Sequence, residues 1–215
     1  MPAKPSTRPW KLLGCCYAIF FVQYAVQFML SPFLATSPVG KAIGIHVVGA
    51  VFAAYPLATA CATPFAPLVL RMLGMRLAVP AGLCVTALGS LLFGLLPSFV
   101  SSPLALSVGL LAFRALGGLG AAVSETGCMT LISTAEATEA EAEGHLGVAL
   151  SSVEVMTGVG AAAGTALGGV LYSLGGYTPC GEFFFPFVVG SVLPLAVVQL
   201  VGTFYSALPE ELAPL

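Results

Sequence analysis

Six long apolar stretches that carry almost no charge constrain this chain more than any other feature. They cover residues 12–33, 47–70, 77–97, 104–132, 146–174 and 183–204. An α-helix needs about 20 predominantly apolar residues to cross a bilayer, and each stretch meets that length. We therefore expect an all-α membrane protein with six transmembrane helices. Residues 1–11 form a tail, 12–205 the helical bundle, and 206–215 the start of a loop or second tail.

The composition excludes several other classes of protein. Charged residues make up 7% of the 215 residues and hydrophobic residues 58%, whereas soluble domains average about 25% charge. Seven Lys and Arg with a net charge of −2 argue against a nucleic-acid partner. The cysteines form no CxxC pair, and His46 and His145 lie near span ends without companion ligands. We therefore expect no metal, no cofactor and no enzymatic activity.

The positive charges predict an orientation. Cytoplasmic loops of membrane proteins carry an excess of Lys and Arg. Five of these residues flank one side of the predicted bundle, and only Lys41 lies on the other. The sequence therefore predicts that both termini are cytosolic, in a plasma or an organelle membrane; the acidic run at 136–143 then reads as a solvated loop. The five residues are Lys4, Arg8, Lys11, Arg71 and Arg76.

Three charged residues fall inside the predicted spans. A charge at the bilayer centre costs roughly 2.5–3.5 kcal/mol, so it needs a partner or a watery cavity. Arg114 lies about 15 Å from the outer end of its span, and Glu154 about 12 Å from the cytosolic end of the next. These depths nearly coincide, and we expect the two side chains to face each other across a cavity. The alternative is a buried ion pair that only fixes helix register.

Glu125 lies eleven residues after Arg114, and therefore on the same helix face. It falls near the cytosolic end of its span, where Arg71, Gly74 and Arg76 form a short loop. One hypothesis is a gating contact between Glu125 and one of these arginines; the other is a helix end exposed to water.

Polar side chains of the first span are candidates for a substrate cavity. Gln23, Tyr24 and Gln27 interrupt an otherwise apolar run. Polar groups that face lipid are costly, so these three should face inward. They either line a cavity or form ordinary hydrogen bonds between helices.

Glycines recur at four-residue spacing in the fifth span, at Gly160, Gly164 and Gly168. Small residues on one stripe let helix backbones approach closely in lipid. We expect the same packing role for Gly169 and, in the fourth span, for Gly118 and Gly120. A weak echo between 67–74 and 168–175 suggests two inverted repeats of three spans each.

Two motifs resemble those of the major facilitator superfamily, and the resemblance covers spans one to six. The segment from Arg114 to Ala122 is similar to the fourth-helix motif R-x-x-x-G-x-G-x-A, whose Arg is implicated in proton coupling. The segment from Gly160 to Gly169 is similar to the fifth-helix motif G-x-x-x-G-P-x-x-G-G, with Thr165 in place of Pro. Together they look most like the drug:proton antiporters and the vesicular amine and polyamine transporters.

The loop between spans two and three departs from the family pattern G-x-x-x-D-R-x-G-R-R. Only Gly74 and Arg76 match, and Arg71 stands where the family has Asp. The acidic part of the family's gating latch is therefore missing.

The resemblance implies transport of a small organic solute, possibly cationic, by alternating access and coupled to protons. Glu154 would be the protonatable group, and Arg114 would tune it. Partners would be the lipid bilayer, the substrate, protons and a second six-helix half. That half belongs to the same longer chain or to a second copy. Two alternatives stay open: a truncated or degenerate half without transport activity, and a half that works only as a homodimer.

Overall fold

A computed structural model describes residues 9–137, 142–177 and 181–205, with side chains at 13–134, 147–177, 181–200 and 202. The predicted terminal segments and the acidic loop fall almost wholly outside these ranges. Every regular element in the described part of the chain is helical. The α-helices are α1 Pro9–Phe28, α2 Pro38–Ile43, α3 Ile45–Ala62, α4 Ala66–Leu73, α5 Met75–Leu95, α6 Pro103–Ala137, α7 Ala142–Gly175 and α8 Phe184–Tyr205.

Four helical segments are long and apolar enough to cross a membrane. They are Ile45–Leu73, Met75–Ser98, Pro103–Thr134 and Gly147–Gly175. Two shorter apolar helices, Leu13–Phe28 and Phe184–Leu200, correspond to the first and sixth predicted spans. Each predicted apolar run thus contains a long helix.

The first helix is shorter than the predicted span 12–33. α1 ends at Phe28, and residues 29–36 form successive turns. Pro32 explains the difference, because it lacks an N–H and disfavours helical backbone at the residue before it. The amide of Ser31 bonds instead to the carbonyl of Phe28, at 3.0 Å, in the tighter spacing typical of a helix end.

Between the first and second predicted spans the chain forms a short helix, α2. Pro38 occupies the first turn of α2, where its missing N–H does no harm. The hydroxyl oxygen of Ser37 accepts from the amide of Gly40 at 3.1 Å and donates to the carbonyl of Leu34 at 2.7 Å. Ser37 therefore caps α2 and ties it to the preceding turns.

A single residue, Gly74, separates helices α4 and α5. Gly74 has φ 74° and ψ 150°, between the end of α4 and the start of α5. A positive φ of this kind is accessible to glycine at little steric cost. Arg71 and Arg76 on either side of it are exposed.

The bundle has two central helices and two outer ones. α5 packs along both α6 and α8, α3 packs along α6, and α1 packs along α7. Over an apolar stretch of 18 residues in each helix, 50% of the residues are buried in α5 and 44% in α6. The corresponding share is only 17% for both Ile45–Leu73 and Gly147–Gly175, which therefore present most of their apolar surface outward.

Two apolar clusters fill the interior at different heights. One contains Ile19, Leu83 and Ile132, and the other contains Leu30, Phe93 and Leu110. On α1, α5 and α6 alike, the chain passes from one cluster to the other through a short polar stretch. The polar side chains therefore lie between the two apolar clusters, about halfway along the helices.

Candidate functional site

Gln23 is the centre of this polar layer and is fully buried, with 0% of its surface exposed. Its Nε2 donates to Oγ of Ser124 at 2.7 Å and to Oγ1 of Thr86 at 3.3 Å. Its Oε1 accepts from the hydroxyl of Tyr55 at 3.1 Å. One side chain of α1 thus contacts α3, α5 and α6 at once. We refer to Gln23, Tyr55, Thr86 and Ser124 as the polar layer.

The hydroxyls of the polar layer are satisfied by backbone carbonyls. Thr86 donates to the carbonyl of Gly82 or Gly117, each 3.2 Å away. Ser124 donates to the carbonyl of Gly120 at 3.0 Å. The hydroxyls of Thr86 and Ser124 therefore each accept one hydrogen bond from Gln23 and donate one to a glycine carbonyl, which matches the capacity of a hydroxyl group. Full satisfaction is what permits such polar groups inside a membrane protein.

Arg114 is buried beside the polar layer, with 5% of its surface exposed. Its Nη2 donates to the backbone carbonyl of Gln27 at 2.7 Å. The guanidinium carbon lies 4.9 Å from the ring centre of Tyr55 and 5.9 Å from that of Phe93. A desolvated cation above an aromatic face gains about 2 kcal/mol. The Nε of Arg114 is also buried and has no hydrogen-bond partner among the described residues.

The expected pairing of Arg114 with Glu154 does not occur in this structure. Among the described residues Arg114 contacts α1, α3 and α5, whereas Glu154 is exposed on α7. Counting residues along a span predicts the depth of each residue, but it carries no information on the neighbours of its helix. α7 packs mainly along α1 rather than α6, so α1 takes the place across from Glu154.

The gating contact of Glu125 stays a prediction. Glu125 is half-buried on α6, and within the described ranges no ion pair joins it to Arg71 or Arg76. Glu125 and Glu154 both lie close enough to Tyr24 to act on it electrostatically, and Glu125 also acts on Tyr55.

The three cavity candidates of α1 have different environments. Gln23 is enclosed by the polar layer, so it does not line an open cavity as expected. Tyr24 and Gln27 are half-buried and remain accessible from one side. The backbone of Gln27 is the part of that residue that holds Arg114.

The glycines of α7 lie directly on the backbone of α1. A Cβ added at Gly160, Gly164 or Gly168 would collide with the carbonyl of Phe21, Ala25 or Met29, respectively. In α6, a Cβ at Gly118 would collide with the carbonyl of Tyr55, and one at Gly120 with that of Gly82. Gly169 differs, because its nearest neighbour would be the side chain of Pro32 at an ordinary 3.7 Å.

Sequence reasoning missed Tyr55, Thr86 and Ser124. Each lies in a different apolar run, so no spacing within one helix connects them. The signal available in the sequence was that each of these apolar spans contains a polar side chain, since such side chains usually find a partner on another helix.

Other features of the molecule add little to this site. A shallow pocket of about 440 Å³ lies along α7 and is lined by residues from Gly147 to Met156, none of which belongs to the polar layer. Within the part of the chain that the structure describes, no three His, Cys, Asp or Glu side chains come together in a way that could hold a metal ion.

These features define a class of protein: an integral, multi-pass helical membrane protein with a buried polar layer and a buried arginine. Comparison with family models matches residues 16–213 to the Major Facilitator Superfamily. The match covers most of the chain, and the chain therefore belongs to the Major Facilitator Superfamily. Comparison with curated proteins gives no match.

Membership fixes the broad function. Members of this superfamily are membrane transporters rather than enzymes, so the family implies movement of a solute across a membrane. This agrees with the interior, where the charged and polar side chains are concentrated at mid-height. In membrane proteins such residues usually mark the path of a substrate or proton.

Proposed function

We propose that the chain forms one six-helix half of a proton-coupled transporter that moves a small organic solute, including organic cations, by alternating access. The observation that carries the proposal is Arg114: a charged side chain, 5% exposed, without a carboxylate partner among the described residues. An unpaired charge at this depth is expensive, so its presence points to a function.

Six spans arranged as two inverted repeats are part of this proposal. Spans one to three contain α1, α3 and α5, and spans four to six contain α6, α7 and α8. Two repeats would relate α1 to α6, α3 to α7 and α5 to α8. Under this exchange the pair of α1 and α7 becomes the pair of α6 and α3. Both pairs pack extensively, and α5 with α8 maps onto itself. This pattern supports the 3+3 arrangement that many transporters share.

The proposed orientation places both termini and the Gly74 break in the cytosol. The exposure of Arg71 and Arg76 beside that break supports it, because both charges are free to reach a cytosolic surface. Cysteine labelling from either side of intact cells, at Met72→Cys for the cytosol and at Ser101→Cys for the other side, tests this orientation. Labelling of Ser101→Cys from the cytosol would reverse it.

For proton coupling we propose Glu154 as the group that takes up and releases the proton, with Arg114 as the residue that responds to it. The electrostatic reach of both Glu154 and Glu125 to Tyr24 supports a shared proton path along this side of α1. Because Arg114 and Glu154 are not paired here, their coupling would run through α1, which contacts both helices.

Transport by the reconstituted protein tests the proposal. In vesicles with an imposed pH gradient, we expect a panel of small organic cations to include at least one that accumulates, and accumulation to stop when an ionophore collapses the gradient. Glu154→Gln should abolish the gradient-driven part. Glu182→Gln, at an exposed carboxylate outside the spans, serves as the control and should transport normally. Uptake by Glu154→Gln at the rate of the unmodified protein would remove Glu154 from the mechanism.

A second six-helix half is needed to close a cavity between halves. Ile45–Leu73 and Gly147–Gly175 present surfaces that this chain leaves uncovered, with only 17% of 18 consecutive residues buried in each. These surfaces are available to a second half. The mass of the protein in its native membranes separates the alternatives. A band near 21.8 kDa would favour a homodimer or an inactive half. A band at about twice that mass would indicate a twelve-helix chain.

A further inference from the structure

Arg114 is held from α1 along two routes. The first is direct, from Nη2 to the carbonyl of Gln27 at 2.7 Å. The second runs through Tyr55, whose ring lies 4.9 Å from the guanidinium carbon and whose hydroxyl bonds to Gln23 at 3.1 Å. Gln23 and Gln27 are four residues apart and therefore lie on one face of α1. A shift of α1 would move both supports of Arg114 together.

Tyr55 packs closely against α6. An added Cβ at Gly117 would come within 3.2 Å of Cε2 of this ring, and one at Gly118 would collide with the backbone carbonyl of Tyr55. The two glycines therefore let Tyr55 approach α6 closely. The hydroxyl bond to Gln23, at 3.1 Å, is the contact that connects this ring to α1.

An apolar residue at position 23 would avoid the cost of burying an amide between four helices. Gln23 instead has both ends of its amide satisfied, by Thr86 and Ser124 on one side and by Tyr55 on the other. Fully satisfied buried networks of this kind hold a single arrangement of the helices around them.

We propose that Gln23 is a positioning residue that sets the place of Arg114 through Tyr55, so that the guanidinium follows the movement of α1. The proposal rests on the proposed function only for its consequence in transport, since the positioning itself is a property of the bundle. Gln23 does not touch the substrate in this role. Through Gln23, the position of Arg114 on α6 depends on the position of α1.

Chemical accessibility of Arg114 tests the positioning without any transport assay. Phenylglyoxal modifies accessible guanidinium groups, and peptide mass spectrometry reports each arginine separately. Arg71 and Arg76 are exposed and provide an internal reference in every sample, whereas Arg114 should react slowly in the unmodified protein. We expect Gln23→Leu to raise the rate at Arg114, relative to Arg71, by about tenfold, and Tyr55→Phe by a smaller factor.

Two further variants separate positioning from general loosening of the fold. Ser124→Ala also removes one hydroxyl partner of Gln23, at 2.7 Å, but leaves the bond from Tyr55, so Arg114 should stay protected. Gln23→Glu keeps an oxygen that accepts from the tyrosine hydroxyl, so it should restore protection. Equal exposure of Arg114 in Ser124→Ala and Gln23→Leu would overturn the proposal, as would full protection in Gln23→Leu. Absence of transport in the unmodified protein would instead count against the proposed function.

Discussion

Two pairs of helices approach each other closely in this bundle, and they do so in different ways. Between α1 and α7, all the close-packed glycines belong to α7, and they meet backbone carbonyls of α1 one turn apart. Between α5 and α6, both helices contribute: Gly82 lies against Gly120, and Gly89 against Gly117. The first contact is one-sided and regular, whereas the second is reciprocal.

The two contacts also differ in polarity. Across α5 and α6, Thr86 donates to a carbonyl of α6 and accepts from Gln23, so the glycines bring polar groups within bonding distance. Across α1 and α7, the hydroxyl of Tyr17 donates a long hydrogen bond to the carbonyl of Ala149, at 3.5 Å. Close approach therefore serves van der Waals packing in one place and hydrogen bonding in the other.

The one-sided contact should be the more fragile. Gly168→Val would force side-chain atoms into the carbonyl of Met29, and α1 has no small residue there to yield space. We expect a loss of about 3 kcal/mol in unfolding free energy, the upper part of the range for overpacking. Thermal unfolding in detergent measures it. Gly158→Val on the same helix is the control, because nothing lies within 4 Å of its added Cβ. Equal losses in both variants would show that helix propensity, not contact with α1, governs stability.

The reciprocal contact should respond less than additively. Gly82→Ala and Gly120→Ala each place a methyl group against the partner backbone, so each should cost about 2 kcal/mol. Once either variant has moved α5 and α6 apart, the second methyl meets less resistance. The double variant should therefore lose clearly less than the sum of the single losses in the same unfolding measurement. Strict additivity would mean that the two glycines act at independent places.

Adjacent glycines of α7 should give opposite signs. Gly168→Ala adds a methyl group against α1 and should destabilise. Gly169→Ala meets only the side chain of Pro32 at 3.7 Å and removes the flexibility of glycine from a helix interior, so it should stabilise by about 0.5 kcal/mol. A shift of the unfolding midpoint in the same direction for both would contradict the assignment of the two helix faces.

The comparison also separates what sequence reasoning could predict from what it could not. The regular stripe of Gly160, Gly164 and Gly168 is visible within one helix, so its packing role follows from spacing alone. Its partner α1 does not, because spacing carries no information about which helix covers a face. Of the reciprocal contact, the sequence predicted only Gly120 on α6, and its partner Gly82 on α5 was missed because the glycines are divided between two helices.

The same limit applied to the site. The family and the existence of the apolar helices followed from composition and motif. The depth of Arg114 followed from counting residues along its span. Its aromatic and carbonyl partners, and the enclosure of Gln23, depend on contacts among four helices that no single run encodes. The early end of α1 was within reach of the sequence, because Pro32 marks it.

The unpartnered Nε of Arg114 also biases the conformational equilibrium. A buried donor without an acceptor costs about 1–3 kcal/mol. A conformation that brings a carbonyl or carboxylate to this atom recovers that free energy, which corresponds to about 5- to 150-fold in population when all other contacts are equal. The missing acceptor therefore contributes a bias toward conformations that supply one.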